Sequence, residues 1–430
     1  ADFTCERENA QAACLPIRDM ALQFNAPVAR KMASGIVLKS SSGNVKPTFD
    51  GDAGDAESIV TSVSFKAPFP PGAKYAIELP KNFQDASGRG LLNADSFPLS
   101  VAVGQMPPLA KFAASPFGVV ERFAEGPKGP ALLPVTLRNV EQALQVSGLD
   151  AATAAKVVQG QPPKVSTLKP GTDAEIIRWY RKVQRYSDWS VPRSLARDDV
   201  KGPLPKRLEN EGDSEKDGYV QTRAVSLLGG KQNVKTLDVP KTNSNDPRPF
   251  EVVGIPLPVG FHVVEIASPM LGKSLLSEEL GEGRTMYVRT TALVTNLAVH
   301  FKLGRENSEA WVTTLDKGQV VANAVVRVSH CDGSEVAHAT TDAKGIAKFE
   351  KLPPEPSACD DGSNYSRSYF VSARAKDAEG VEDMAFTWTD WQRGIEPWRF
   401  NAPTSLDNQP DQVAHTVFDR TLLRVGETVS

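Results

Sequence analysis

Histidine is scarce in this chain: His262, His300, His330, His338 and His415 are the only 5 in 430 residues. With so few imidazoles, a proton-shuttling site has little to draw on. No Gly-x-Ser-x-Gly elbow or His-Glu-x-x-His pair is present, which removes the usual signatures of α/β-hydrolases and zinc peptidases. Leu228-Gly229-Gly230-Lys231 lacks the spaced glycines and the following Ser or Thr of a phosphate loop. No excess of charge exists either. A formal net of −3 leaves no basic field to hold nucleic acid or an anionic membrane. Long apolar runs are missing too: Pro256, Pro258 or charges break every candidate before the ~18 residues a spanning helix needs. The opening ADFTC has neither a charged nor an apolar signal region, so the chain is expected to lack its signal segment.

Cysteine is sparse but placed in pairs. Cys5 and Cys14 share one short segment, and Cys331 and Cys359 share a later one. A local disulfide in each place is the simplest of three connectivities, and it implies an oxidising compartment; four buried thiols in a cytosolic protein are the alternative. A metal site built from His330, Cys331, His338 and Cys359 does not match the usual ligand spacings. Asp198-Asp199 and Asp360-Asp361 could pair as acid and base, but adjacent acids in polar loops are ordinarily solvated turn residues. Trp388, Trp391 and Trp398 with Arg393 and Arg399 form an aromatic, cationic cluster. Exposed, Trp388, Trp391, Arg393 and Trp398 would make a sugar- or protein-docking surface; buried, they would pack against a neighbouring domain. No catalytic residue, metal or cofactor is assigned.

What the chain has in abundance is two-residue alternation between turns, with 32 Gly and 32 Pro spread along it. Leu297, Val299 and Phe301 alternate with Ala298, His300 and Lys302, and Ala324, Val326 and Val328 with Val325, Arg327 and Ser329. Asp316-Lys317-Gly318 and Asp342-Ala343-Lys344-Gly345 supply hairpin turns. The pattern predicts an all-β protein of tandem antiparallel β-sandwiches, one with a helical insertion. Residues 1–105 read as a first sandwich, with alternation at Ile59, Thr61, Val63 and Phe65 and at Tyr75, Ile77 and Leu79; Met106-Pro107-Pro108 reads as a linker. Residues 106–292 read as a second, interrupted at about 140–190 by helical periodicity and at 193–217 by a charged, exposed, mobile loop. Within the insertion Thr172 and Glu175 make a capping box ahead of an apolar stripe at Ile176, Trp179, Tyr180 and Val183, and Asp150 could cap a short Ala-rich helix. Residues 293–410 read as a third sandwich, and 411–430 as the opening of a truncated fourth, which makes the chain a fragment.

Five stretches carry a resemblance. Arg248–Leu257 (RPFEVVGIPL), Gly260–Ile266 (GFHVVEI) and Leu293–Lys302 (LVTNLAVHFK) resemble the N-terminal half of bacterial alpha-2-macroglobulins. Thr340–Ile346 resembles a turn of macroglobulin-like domains, and Phe418–Val429 is similar to the start of the next such domain, with Leu423 and Val425 replacing its usual Tyr and Pro. The resemblance implies the scaffold of a periplasmic, inner-membrane-associated protease trap, with proteases as partners of the full-length protein and a peptidoglycan-synthesising penicillin-binding protein as a further partner. Many members capture the protease through a Cys-x-x-Gln thioester. None of Cys5, Cys14, Cys331 or Cys359 has Gln three residues on, and no bait region stands out. The rival function for such a sandwich array is adhesin- or carbohydrate-binding through the Trp388–Trp398 surface. An enzyme ranks third, for want of a nucleophile–His constellation.

Overall fold

The structure, a computed structural model, describes residues 1–8, 11–41, 43–49, 58–126, 128–138, 140, 164–208, 217–236, 250–276, 284–304, 306–353, 356–360, 365–390 and 426. The proposed Asp150 helix and the fourth sandwich lie outside them. Nearly all described elements are strands in antiparallel sheets, as the alternation predicts.

In the first sandwich a three-stranded sheet (Asp2–Cys5, Met20–Ala29, Ile59–Phe65) and a four-stranded sheet built on Val37–Ser40 and Lys74–Glu78 share one core. Met20, Leu22 and Phe65 from one sheet meet Leu38, Ile77 and Val101 from the other. Alternation along Ile59–Phe65 holds at Val63 and Phe65 but not at Ile59, which is exposed. The register with Met20–Ala29 shifts between Gln23 and Val28, and past the irregularity it is Val60, paired with buried Val28, that packs on the core in place of Ile59.

The second unit has a three-stranded sheet centred on Ala131–Arg138 and a five-stranded sheet centred on Gly260–Ser268. Between them lie Phe112, Leu133, Val135, Ile255, Val264, Ile266 and Val294. The five-stranded sheet is covered on its far side as well, by the insertion and by the third sandwich. This is why Gly260–Ser268 carries apolar residues at both parities: even-numbered Val264 and Ile266 face one core, and odd-numbered Phe261 and Val263 face the other.

Two expectations for the insertion are corrected. Lys164–Leu168, inside the stretch read as helical, is a strand paired to Gly260–Ser268; exposed sheet-edge donors there outweigh local helical periodicity. Arg193–Asp199, read as the start of a mobile charged loop, is a helix with Ala196 fully buried. Its charge is neutralised locally, because Asp199 pairs with Lys182 at 2.7 Å and Arg185 at 3.1 Å.

In the third unit a three-stranded sheet (Leu297–Lys302, Asn307–Thr314, Ile346–Glu350) faces a four-stranded one (Glu335–Thr340, Val325–Ser329, Phe370–Lys376, Glu382–Trp388) over Val299, Val312, Val326, Val328 and Val371. Strand Met286–Thr295 of the second unit runs past residue 292 and ends one residue before strand Leu297–Lys302 begins. The break between the two sheets therefore falls at Asn296.

Candidate functional site: the joint between the second and third sandwiches

Helix Asp173–Arg185 starts where the sequence predicts. The Thr172 hydroxyl accepts the Glu175 N–H at 3.3 Å, and the Glu175 carboxylate accepts the N–H groups of Thr172 and Gly171. These backbone donors hold the Glu175 carboxyl below its ordinary pKa, Gly171 contributing most. Fixing the helix start aims Ile176, Tyr180 and Val183 at the five-stranded sheet.

The outer face of the third sandwich meets the same surface. Along Phe370–Lys376, Val371 and Ala373 face the sandwich's own core, while Phe370, Ser372 and Arg374 face the joint. Phe386 lies between units: its ring centroid is 4.9 Å from Phe370, 5.2 Å from Phe117 and 6.0 Å from Phe261. Trp388 packs 5.1 Å from Phe370 and 5.8 Å from Tyr180. Such pairs add about 0.5–1.5 kcal/mol each beyond area burial.

Polar groups close the rim. Asp173, 9% exposed, accepts the Ser372 hydroxyl at 2.7 Å and pairs with Arg374 at 2.6 Å. Asp383 accepts the Thr295 hydroxyl at 2.7 Å and the Asn296 N–H at 2.8 Å, pinning the crossover residue. Arg122 pairs with Asp377 at 2.6 Å, and Arg181 donates to the Cys359 carbonyl at 3.2 Å. The turn at Gly333 (φ +88°) sits so close to the helix that a Cβ there would overlap Ala174. The joint is packed and hydrogen-bonded across its width.

Behind the joint lies an ion pair that sequence reasoning did not single out. Glu265 and Arg289 face each other in register and bond at 3.2 Å, with 3% and 7% of each residue exposed. Glu265 also accepts the Ser226 hydroxyl at 2.5 Å and the Leu227 N–H at 2.9 Å. Arg289 donates to the carbonyls of Thr222, Val225 and Tyr186. The signal was present: one acid and one base interrupt two otherwise apolar or Thr-rich strands, HVVEIAS and YVRTTALV.

Both local disulfides are present, Cys5–Cys14 and Cys331–Cys359, with Cα separations of 5.6 and 5.8 Å, so the later pair's sulfurs are not ligands. Trp388 is 8% exposed and is corrected as a docking residue: the apolar surface it shares with Tyr180 and Phe370 is worth more buried than wet. Trp391, Arg393 and Trp398 lie outside the described residues, as do Asp361 and His415. His300 is exposed and stacks 5.5 Å from Trp311, and His338 is exposed beside Glu335 at 2.6 Å. His262 is buried, bonded to the Pro258 carbonyl at 2.7 Å, and burial pushes its pKa down to about 4. A cleft of about 590 Å³ in the first sandwich is lined by Phe24, Phe83, Leu91 and Leu92 with Asn25 and Asn93. Its ionisable side chains are Asp2, Asp85 and Arg89, with no His, Ser, Thr or Cys, and Asp85 is tied up by Arg89 at 2.7 Å.

Residues 294–407 match the family model of the bacterial alpha-2-macroglobulin MG3 domain, which bears out the sequence resemblance and takes in Thr340–Ile346 and all but the first residue of Leu293–Lys302. None of the curated proteins matches the chain. Among solved structures, the chain is similar to native alpha-2-macroglobulin from Escherichia coli spanning domains MG0-NIE-MG1. Identity is 13%, covering 86% of this chain and 91% of that one, with a TM-score of 0.35. It is also similar to Salmonella alpha-2-macroglobulin reacted with methylamine, at 13% identity and a TM-score of 0.39 over 89% of this chain and 18% of that one. Trypsin-activated alpha-2-macroglobulin from Escherichia coli matches at 8% identity and a TM-score of 0.19, over 90% of this chain and 24% of that one.

Proposed function

We propose that this chain is a non-enzymatic scaffold region of a bacterial alpha-2-macroglobulin-type protease trap, whose inhibitory activity resides in the longer protein. The observation that carries the reading is the MG3 match over 294–407, which falls on the sandwich whose outer face is buried in the joint. The trap's partner is a protease, in keeping with the trypsin-activated form of the similar Escherichia coli protein. Paired cysteines support an oxidising, periplasmic setting, with inner-membrane association and a penicillin-binding protein as partner proposed on the family resemblance alone.

In this role the chain makes and breaks no bond with the protease. It holds two sandwiches as one body, so that a rearrangement elsewhere moves them together. The test is direct. This chain alone, mixed with trypsin, leaves proteolysis unchanged and forms no adduct on denaturing gels. The full-length protein inhibits, and Phe386→Ala within it weakens trapping without blocking its cleavage. A stoichiometric covalent adduct on the isolated chain would sink the proposal.

A further inference from the structure

The two disulfides occupy different kinds of place. Cys5–Cys14 serves one module: Cys14 is 1% exposed in the core of the first sandwich, and Cys5 packs on that core. Cys331–Cys359 lies where two units meet. Cys331 packs against the aromatic cluster of the joint, and the Cys359 carbonyl accepts Arg181 of helix Asp173–Arg185 at 3.2 Å. Just beyond Cys331, Gly333 abuts Ala174 at the start of the same helix. Each half of this disulfide therefore borders the second unit at its own point.

The chain around the two sulfurs is unequally held. Cys331 sits in the tight turn between Val325–Ser329 and Glu335–Thr340. There the His330 N–H donates to the Ser334 carbonyl at 2.8 Å, the Gly333 N–H to the His330 carbonyl at 2.9 Å, and Asp332 accepts the Ser334 N–H and hydroxyl. Cys359 sits in Ala358–Asp360, which among the described residues pairs only with Tyr365–Arg367, so this ribbon belongs to neither sheet of the third sandwich. The disulfide ties the ribbon to the hairpin turn of the sandwich. Without that tie, the carbonyl that receives Arg181 rests on a two-stranded ribbon, which is marginal by itself in water. Cys331 is partly exposed, whereas Cys359 is 2% exposed, so an attacking thiolate meets the Cys331 sulfur first.

We propose that Cys331–Cys359 is a site of thiol–disulfide exchange whose state sets the stiffness of the joint. The reductant is a dithiol. One of its thiolates attacks the Cys331 sulfur, the S–S bond breaks, and Cys359 leaves as a thiolate that takes up a proton. The donor's second thiol loses its proton and attacks the mixed disulfide, and Cys331 departs to become a thiol. Two electrons have then passed to the protein, and the donor is left as a disulfide. Oxidised, the ribbon holds the helix through Arg181 and the turn holds its place on the aromatic cluster. Reduced, the ribbon releases Arg181 and the joint opens more often, while both sandwiches stay folded.

The whole chain is reduced with dithiothreitol, its thiols are alkylated and assigned by peptide mass, and amide exchange is followed by mass spectrometry. Expected is exchange about 30-fold faster in helix Asp173–Arg185 and strand Glu382–Trp388, the low end of what losing a structural disulfide does to an equilibrium. Reoxidation with oxidised glutathione should restore the slow rate. Cys331→Ser combined with Cys359→Ser should match the reduced state without reductant, whereas Cys5→Ser combined with Cys14→Ser should leave exchange across the joint unchanged. Arg181→Gln, which keeps the disulfide, should quicken exchange in the helix and blunt its further response to dithiothreitol. Three outcomes overturn the proposal: unchanged exchange across the joint once Cys331 and Cys359 are both alkylated, faster exchange confined to the turn and the ribbon, or loss of the folded far-ultraviolet spectrum on reduction.

Discussion

At the scale of single residues, Glu265 and Arg289 bear the largest electrostatic consequence. Each is nearly inaccessible and each is the other's counter-charge. Removing one partner strands the other, so Glu265→Gln or Arg289→Met should each cost about 3–5 kcal/mol. The double change Glu265→Leu with Arg289→Met should cost less than either single change summed with the other, because no charge is left behind. Urea unfolding of the four proteins measures both expectations. His262 gives a pH signature. Its pKa is about 4 in the fold against about 6.5 unfolded, so the unfolded chain takes up the proton first. Stability is thus full above pH ~6.5 and is lost as pH falls toward 4. The slope of unfolding free energy over that window should shrink in His262→Gln, which retains a donor for the Pro258 carbonyl. These residues were the least legible in the sequence. Their meaning depends on which strands lie side by side, and the register of Glu265 with Arg289 is a long-range fact that no local window contains.

At the scale of elements, sequence reading did well wherever chemistry is local. The Thr172–Glu175 capping box, the Gly318 turn at φ +63° and the Gly345 turn at φ +75° stand where the sequence places them. Thr172→Ala should cost about 1 kcal/mol, seen as a lower thermal midpoint and faster amide exchange in the first helical turn. Gly333→Ala should cost more, because a side chain there faces both a left-handed backbone and Ala174; the excess, read as a larger drop in thermal midpoint, should persist when Ala174 is itself changed to Gly, because the Ala174 backbone stands as close as its Cβ. Elements were misread where neighbours outweigh local preference. Lys164–Leu168 is a strand because the Gly260–Ser268 strand offers it five partners, and Arg193–Asp199 is helical because Lys182 and Arg185 meet its acid end. Charge density alone suggested a solvated loop.

Across the whole molecule the two joints differ in kind. The first sandwich keeps its core to itself: every residue of that cluster lies between Ala1 and Val103, and Ser274 with Glu8, at 2.5 Å, is a polar contact between it and the second unit. The second and third units share an aromatic cluster instead. Phe386→Ala should therefore cost about 3–5 kcal/mol and split calorimetric unfolding, so that a third-sandwich transition separates from that of the second. The corresponding core change in the first sandwich, Phe65→Ala, should leave the shared transition where it is. The sequence showed the modules but not this inequality, since Trp388 and Phe386 look alike whether they face water or a neighbouring sheet.

One residue, Asn296, stands between the last strand of the second unit and the first strand of the third, and Asp383 grips it from the opposite sheet. Such a crossing has no slack. A load applied to the third module arrives undiminished at the strand beside the heart of the second, in the manner of a crank welded to its shaft. The freedom to swing must then be sought on the other side, around Met106-Pro107-Pro108.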